Sequence, residues 1–142
     1  WWTPEDAKAY NERSSLVADQ YSSYVAVDSV HLNGRLTLGE NTADIGGLKI
    51  AYIAMEHAYA SKTRDTVAGF TPEQRFFISV AQIWRENVRP TYARQLAITD
   101  PHSPGRWRID GPLSDMPEFA QAFGCHAGDP MVRPENVRPQ IW

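Results

Sequence analysis

The sequence predicts a mainly α-helical chain, on three observations. Two segments open with a threonine N-cap followed by proline, a long segment repeats apolar residues at helical spacing, and no run alternates regularly enough to make a convincing strand. In order, "TPEDAKAYNERSSLVADQY" starts with Thr3 as N-cap and Pro4 at the first helical position, and predicts a helix to about Gln20. Residues 21–36 are mixed, with Asn33-Gly34 as a turn. From 38 to about 61 the pattern is helical, with Leu48, Ala51, Tyr52, Met55 and Tyr59 at i, i+3, i+4, i+7 spacing. Ile50 and Ile53 fall on another side, so this helix is apolar nearly all round and expected to be buried in the intact protein. Thr71 and Gln74 form a capping box with Pro72 inside it, and Phe77, Val80, Ala81, Trp84 and Val88 make an amphipathic stripe that Arg89-Pro90 should end. A shorter helix is expected over 91–98. The stretch 99–113, with three prolines and two glycines, reads as an irregular loop. "DMPEFAQAFG" is a short helix stopped by Gly124, and the tail, with Pro130, Pro134 and Pro139, reads as extended or coiled.

The bulk properties bound the function. A length of 142 residues suits one domain with a modest core, and 42% hydrophobic with 22% charged residues is ordinary for a globular chain. The formal net charge of −3 gives no support to a nucleic-acid partner, which shows as a basic excess. The longest apolar run, near 45–55, is broken by Gly46, Gly47 and Lys49 and is far short of the ~20 residues that span a bilayer. With one cysteine, Cys125, no intrachain disulfide can form. The chain opens on Trp1-Trp2 without an initiator methionine or a signal-like segment, and is read as a piece of a longer protein.

Two groups of residues could carry chemistry. Glu40 and Asp44 in "LGENTADIGG" lie four residues apart, about 40° around a helix, and the stripe of Leu48, Ala51 and Met55 continues from them, so both are expected to face inward. A buried carboxylate needs a cation, a metal or hydrogen-bond donors. One reading is a first helical turn whose acids suit the helix dipole. The other makes Glu40 a metal ligand or acid/base and Asp44 the residue that holds another ligand, with Gly46-Gly47 leaving room for a neighbouring element. His102 is either an ordinary turn histidine or, on a loop stiffened by Pro101, Pro104 and Gly105 with Arg106 and Arg108 close behind, a donor to an oxyanion. His31, His57 and His126 show no ligand spacing, Cys125 reads as a small buried hydrophobe, and Trp2, Phe76, Phe77, Trp84 and Phe119 as core. No H-x-x-x-H pair occurs, so the chain carries no HExxH motif, and Glu40 with one distant histidine cannot make a three-ligand zinc site.

The opening "WWT", "HLNGRLTLGENTADIGGL", the run from "FFISVAQIWRENVRP" through "TDPHSPGRWRIDGPL" to "FAQAFGC", and the final tryptophan together resemble the C-terminal end of the neprilysin-type zinc metallopeptidases. That family includes the endothelin-converting enzymes and bacterial oligopeptidases. The resemblance implies a helical C-terminal portion of a thermolysin-like catalytic domain, covering residues 1–142, with the HExxH-bearing part elsewhere. It implies Glu40 as the third zinc ligand and Asp44 as the residue orienting a histidine of HExxH. It implies His102 as the stabiliser of the tetrahedral oxyanion and Arg108 as the residue binding the substrate backbone. The implied activity is zinc-dependent hydrolysis of short peptides, with one zinc ion per full-length enzyme and the general base supplied from outside this chain. Pro139 in "PQIW" stands where many animal members have a cysteine, which points to a disulfide-poor bacterial member; a periplasmic or secreted location is a separate expectation.

Taken alone, the chain is expected to be inactive and, through exposed inner faces, able to self-associate; its partners are peptide substrates and the upstream part of the same polypeptide. The alternative is a non-catalytic peptide-binding or interaction module in which Glu40, Asp44, His102 and Arg108 line a recognition cleft.

Overall fold

The computed structural model describes residues 1–141; Trp142, which contributes to the terminal resemblance, lies outside the described residues. The elements run α1 (Pro4–Ser22), β1 (Val25–Val27), β2 (Val30–His31), α2 (Leu38–Tyr59), α3 (Pro72–Ile83), α4 (Pro90–Thr99), α5 (Gly105–Asp115), α6 (Pro117–Phe123) and a final 3₁₀ turn over Glu135–Val137. The chain is mainly helical, as predicted.

Local chemistry sets several boundaries. The Thr3 hydroxyl accepts the Asp6 amide at 3.1 Å while Asp6 accepts the Thr3 amide at 3.2 Å. The same reciprocal box joins Thr71 and Gln74, and Gln74 then donates from Nε2 to the Ala122 carbonyl at 2.9 Å, tying α3 to α6. Each cap contributes about 1 kcal/mol. Gly124 ends α6 with φ of 65°, the left-handed conformation glycine adopts without a Cβ penalty.

Three expectations are corrected. A two-stranded antiparallel hairpin of β1 and β2 occupies the stretch read as mixed. Its strands are too short to show alternation, and tertiary contacts hold it: Trp107 donates from Nε1 to the Val25 carbonyl at 2.8 Å and stacks on Tyr24 with centroids 4.0 Å apart. Helix α3 stops at Ile83, and Arg89-Pro90 instead opens α4, with Pro90 at its first position. Most consequentially, Gly105–Asp115 is a helix, not loop. Pro104 precedes it, where a fixed φ does no harm. Pro112 comes late enough to remove only the bond its amide would give to the Arg108 carbonyl.

Helix α5 runs between two apolar clusters. On one side Tyr52, Phe77, Leu113 and Met116 pack with Leu48, Ile109 and Phe119. On the other Val17, Tyr21 and Leu32 pack with Tyr24, Ile45 and Trp107. Gly111 permits that closeness: a Cβ there would lie 2.4 Å from the Tyr21 hydroxyl oxygen.

Helix α2 is two-faced. Ile45, Leu48, Tyr52 and Met55 pack against the clusters, whereas Ala43, Gly47, Ile50, Ala51 and Ala54 form an apolar face open to solvent. The expected burial all round is therefore absent within the described chain, with Ile50 63% and Ile53 45% exposed. Ala51 belongs to the open face, not to the packed stripe. Trp2 is exposed, and Cys125 and Trp84 are half-buried, so these three are not core; Trp2 packs edge-on against Tyr10, and Trp84 has another use described below.

Candidate functional site

Glu40 and Asp44 occupy the first two turns of α2, and the structure separates their roles. Asp44 is taken up by Arg108 of α5: Nε donates to Oδ2 and Nη2 to Oδ1, both at 2.7 Å. The two side chains are 16% and 13% exposed, so this is a largely desolvated, bidentate pair. The Asp44 hydrogen bonds hold the Arg108 pKa above its ordinary value. The Trp84 ring lies against the other side of the guanidinium, 3.8 Å from Cζ to ring centroid. The Arg108 Nη1 group has no hydrogen-bond acceptor among the described residues and is free to donate to a ligand.

Glu40 does not face inward as expected. At 100° per residue it sits at the border between the packed and open faces of α2, and its side chain is 44% exposed. The ionisable side chain within 4 Å of it among the described residues is His102, whose Nε2 is 3.4 Å from Oε2, too long for a well-formed hydrogen bond. His102 belongs to the short irregular stretch before α5. Asp100 holds it there, accepting from the His102 amide at 2.9 Å and meeting Nδ1 at 2.8 Å. The His102 amide and ring keep the Asp100 carboxyl below its ordinary pKa, so Asp100 stays ionised and fixes a proton on Nδ1.

The sequence-predicted residues thus gather at one pole: Glu40 beside His102, and Asp44 locked to Arg108. Four contributors were missed. Asp100 orients His102, and the D-x-H spacing in "TDPHSPG" was a readable signal. Asn41, next to Glu40, accepts the Ser103 hydroxyl at 2.7 Å and donates to Thr37 at 2.8 Å, stitching the His102 stretch onto α2 in a buried position. Trp84 is the shelf for Arg108, and Glu86 contacts the start of α5; in sequence Trp84 shows only as a member of the amphipathic stripe, and Glu86 not at all. His102, Arg108, Trp84 and Asp100 also line a cavity of about 670 Å³ that extends toward Ala93 and Leu96 of α4.

The donor set bears on metal binding. Asp44 is engaged by Arg108, so Glu40 is the carboxylate left to ligate. No group of three or more His, Cys, Asp or Glu side chains among the described residues could hold a metal ion. The pole fits a single carboxylate contribution to a zinc site, with further ligands from outside the chain.

A family model described as Peptidase family M13 matches residues 1–138. Over the whole chain the sequence is 38% identical to human endothelin-converting enzyme 1, of which it spans 18%. It is 39% identical to neprilysin-21 of Caenorhabditis elegans, of which it spans 19%. The fold is similar to that of the zinc metalloprotease Zmp1 of Mycobacterium tuberculosis in its open state, with a TM-score of 0.93 and 34% identity over 100% of this chain and 23% of that one.

Proposed function

Because the chain belongs to peptidase family M13, we propose that it is the C-terminal part of the catalytic domain of a zinc-dependent endopeptidase that hydrolyses short peptides. Glu40 is the third zinc ligand, and the remaining ligands and the general base come from the upstream part of the same polypeptide. The bare apolar face of α2, which begins beside Glu40, supports that reading, since a second element seated there would stand next to the Glu40 carboxylate.

When bound, zinc supplies Lewis-acid polarisation of water and of the scissile carbonyl. The residues of this chain do the positioning. Arg108 is pre-oriented by Asp44 on one edge and Trp84 on one face, so its free Nη1 can donate to a substrate backbone carbonyl without first being ordered. Asp44 acts twice, holding Arg108 and orienting a histidine ligand. His102 is held at Nδ1 by Asp100, which leaves Nε2 on the Glu40 side of the ring as the atom that reaches the oxyanion of the tetrahedral intermediate. The observation that carries the reading is the convergence of Glu40 and His102, 62 residues apart in sequence, to 3.4 Å beside the Asp44–Arg108 pair.

The test is the complete protein assayed on a quenched-fluorescent peptide, with and without a chelator, beside Glu40→Ala. Cleavage that the chelator abolishes and Glu40→Ala loses is the expected result. A complete protein that lacks HExxH upstream and binds but does not cut the peptide would overturn it in favour of a recognition module.

A further inference from the structure

Helix α5 carries Arg108 and begins three residues after His102, so its N-terminus sets both. That N-terminus has no cap of its own. The cap position is Pro104, which offers no side-chain acceptor. Trp107 and Arg108 donate their amides to the Pro104 carbonyl at 2.8 and 3.2 Å, leaving the Gly105 amide as an unsatisfied donor of the first turn. The acceptor comes instead from 19 residues upstream: Glu86 Oε1 takes the Gly105 amide at 2.7 Å. A carboxylate there also faces the positive end of the α5 dipole. The approach is close, since a Cβ on Gly105 would lie 2.5 Å from the Trp84 carbonyl oxygen and 3.0 Å from Glu86 Oε1. The segment following α3 therefore grips α5 at its first residue through Glu86, and supports Arg108 one turn later through the Trp84 ring.

We propose that Glu86 is a positioning residue for the peptidase reaction: by capping α5 at Gly105 it fixes the short stretch that presents His102 and the helical turn that presents Arg108. This rests on the function proposed above. Glu86 makes no hydrogen bond or ion pair with His102 or Arg108 among the described residues, is exposed to solvent and belongs to neither apolar cluster, so its removal leaves both clusters intact.

The experiment compares the complete enzyme with Glu86→Gln, which keeps an acceptor oxygen, and Glu86→Ala, which does not. Two quantities are read: amide hydrogen exchange of residues 102–108 by mass spectrometry, and kcat/KM on a peptide. For Glu86→Ala, exchange of 102–108 is expected to accelerate about tenfold, the scale of a lost cap. Exchange of 41–55 should be unchanged, and kcat/KM should fall about tenfold as two transition-state groups lose register. Glu86→Gln is expected to stay within about twofold of the native enzyme on both counts. Exchange unchanged in Glu86→Ala, exchange accelerated throughout the chain, or faster local exchange with native kcat/KM would each overturn the inference. A native enzyme that cleaves no peptide would instead overturn the proposed function, while the exchange comparison would still decide whether Glu86 caps α5.

Discussion

The bidentate pair of Asp44 and Arg108 gives the sharpest quantitative prediction. Asn at position 44 keeps the shape but removes the charge and one acceptor, leaving a guanidinium that is 13% exposed without its counter-ion. Breaking a fully buried ion pair costs about 3–5 kcal/mol, mostly through the uncompensated charge, whereas a surface pair contributes about 0.2–1 kcal/mol. The residual exposure and the Trp84 face, which still stabilises a cation, place Asp44→Asn between the surface and buried values, at about 2–3 kcal/mol. With a urea dependence of roughly 2 kcal/mol per M, the unfolding midpoint should fall by about 1 M. Asp44→Asn alone mixes the lost bonds with the stranded charge. The assay is therefore a double-mutant cycle with Arg108→Met, in which the double variant should recover part of the loss and the coupling energy should exceed about 1.5 kcal/mol. A coupling below about 0.5 kcal/mol would mean that the pair behaves as a surface pair and that Asp44 does not hold Arg108 in place.

Two further outcomes follow from other parts of the chain. Burial pushes the Asp115 carboxyl up to about 6, against the opposing pull of the Gln20 amide and the Arg133 and Arg138 guanidinium groups. A raised folded-state pKa means that the proton stabilises the fold: the contribution is complete below about pH 4, its usual value, and is lost as pH rises through about 6. Asp115→Asn should remove this dependence, gaining on the order of 3 kcal/mol relative to the native chain at pH 7 and little at pH 4, as read from urea unfolding at both pH values; parallel curves at the two pH values would refute it. The open apolar face of α2 should make the isolated chain self-associate, and Ile50→Lys should shift it toward monomer in size-exclusion chromatography with light scattering. A native chain that is already monomeric would refute that outcome.

What was legible in the sequence was what is decided locally. The capping boxes at Thr3 and Thr71, the stop at Gly124 and the periodicity of α2 are near-neighbour patterns, and the structure repeats them. Helix α5 was hidden because its prolines and glycines are those of a loop. What makes it a helix is remote: Tyr21 against Gly111, Glu86 at Gly105, and Asp44 on Arg108. The site divides the same way. Glu40, Asp44, His102 and Arg108 could be named from short motifs. That Asp44 would be claimed by Arg108, leaving Glu40 at the edge of a bare face, depends on a contact 64 residues apart in sequence that no periodicity encodes.

Helix α3 has a consequence for how this region can change length. Phe77 is rooted in the apolar cluster with Tyr52 and Leu113, and Trp84, seven residues on, is the shelf under Arg108. Trp84 is the cap residue directly after Ile83, and seven residues are about two helical turns, so both side chains leave on the same side. One inserted or deleted residue between them would swing Trp84 by about 100° and take the shelf away. The helix is thus a ruler with both ends engaged, and its length is fixed by chemistry at one end and packing at the other. In the connection before it a side chain at Gly69 would meet nothing within 4 Å, yet the flanking residues are held, Arg64 pairing with Glu56 and Glu73 and Arg75 donating to the Asp65 and Phe70 carbonyls. A change of length should therefore be tolerated least in the span from Phe77 to Trp84, whose two ends are both engaged.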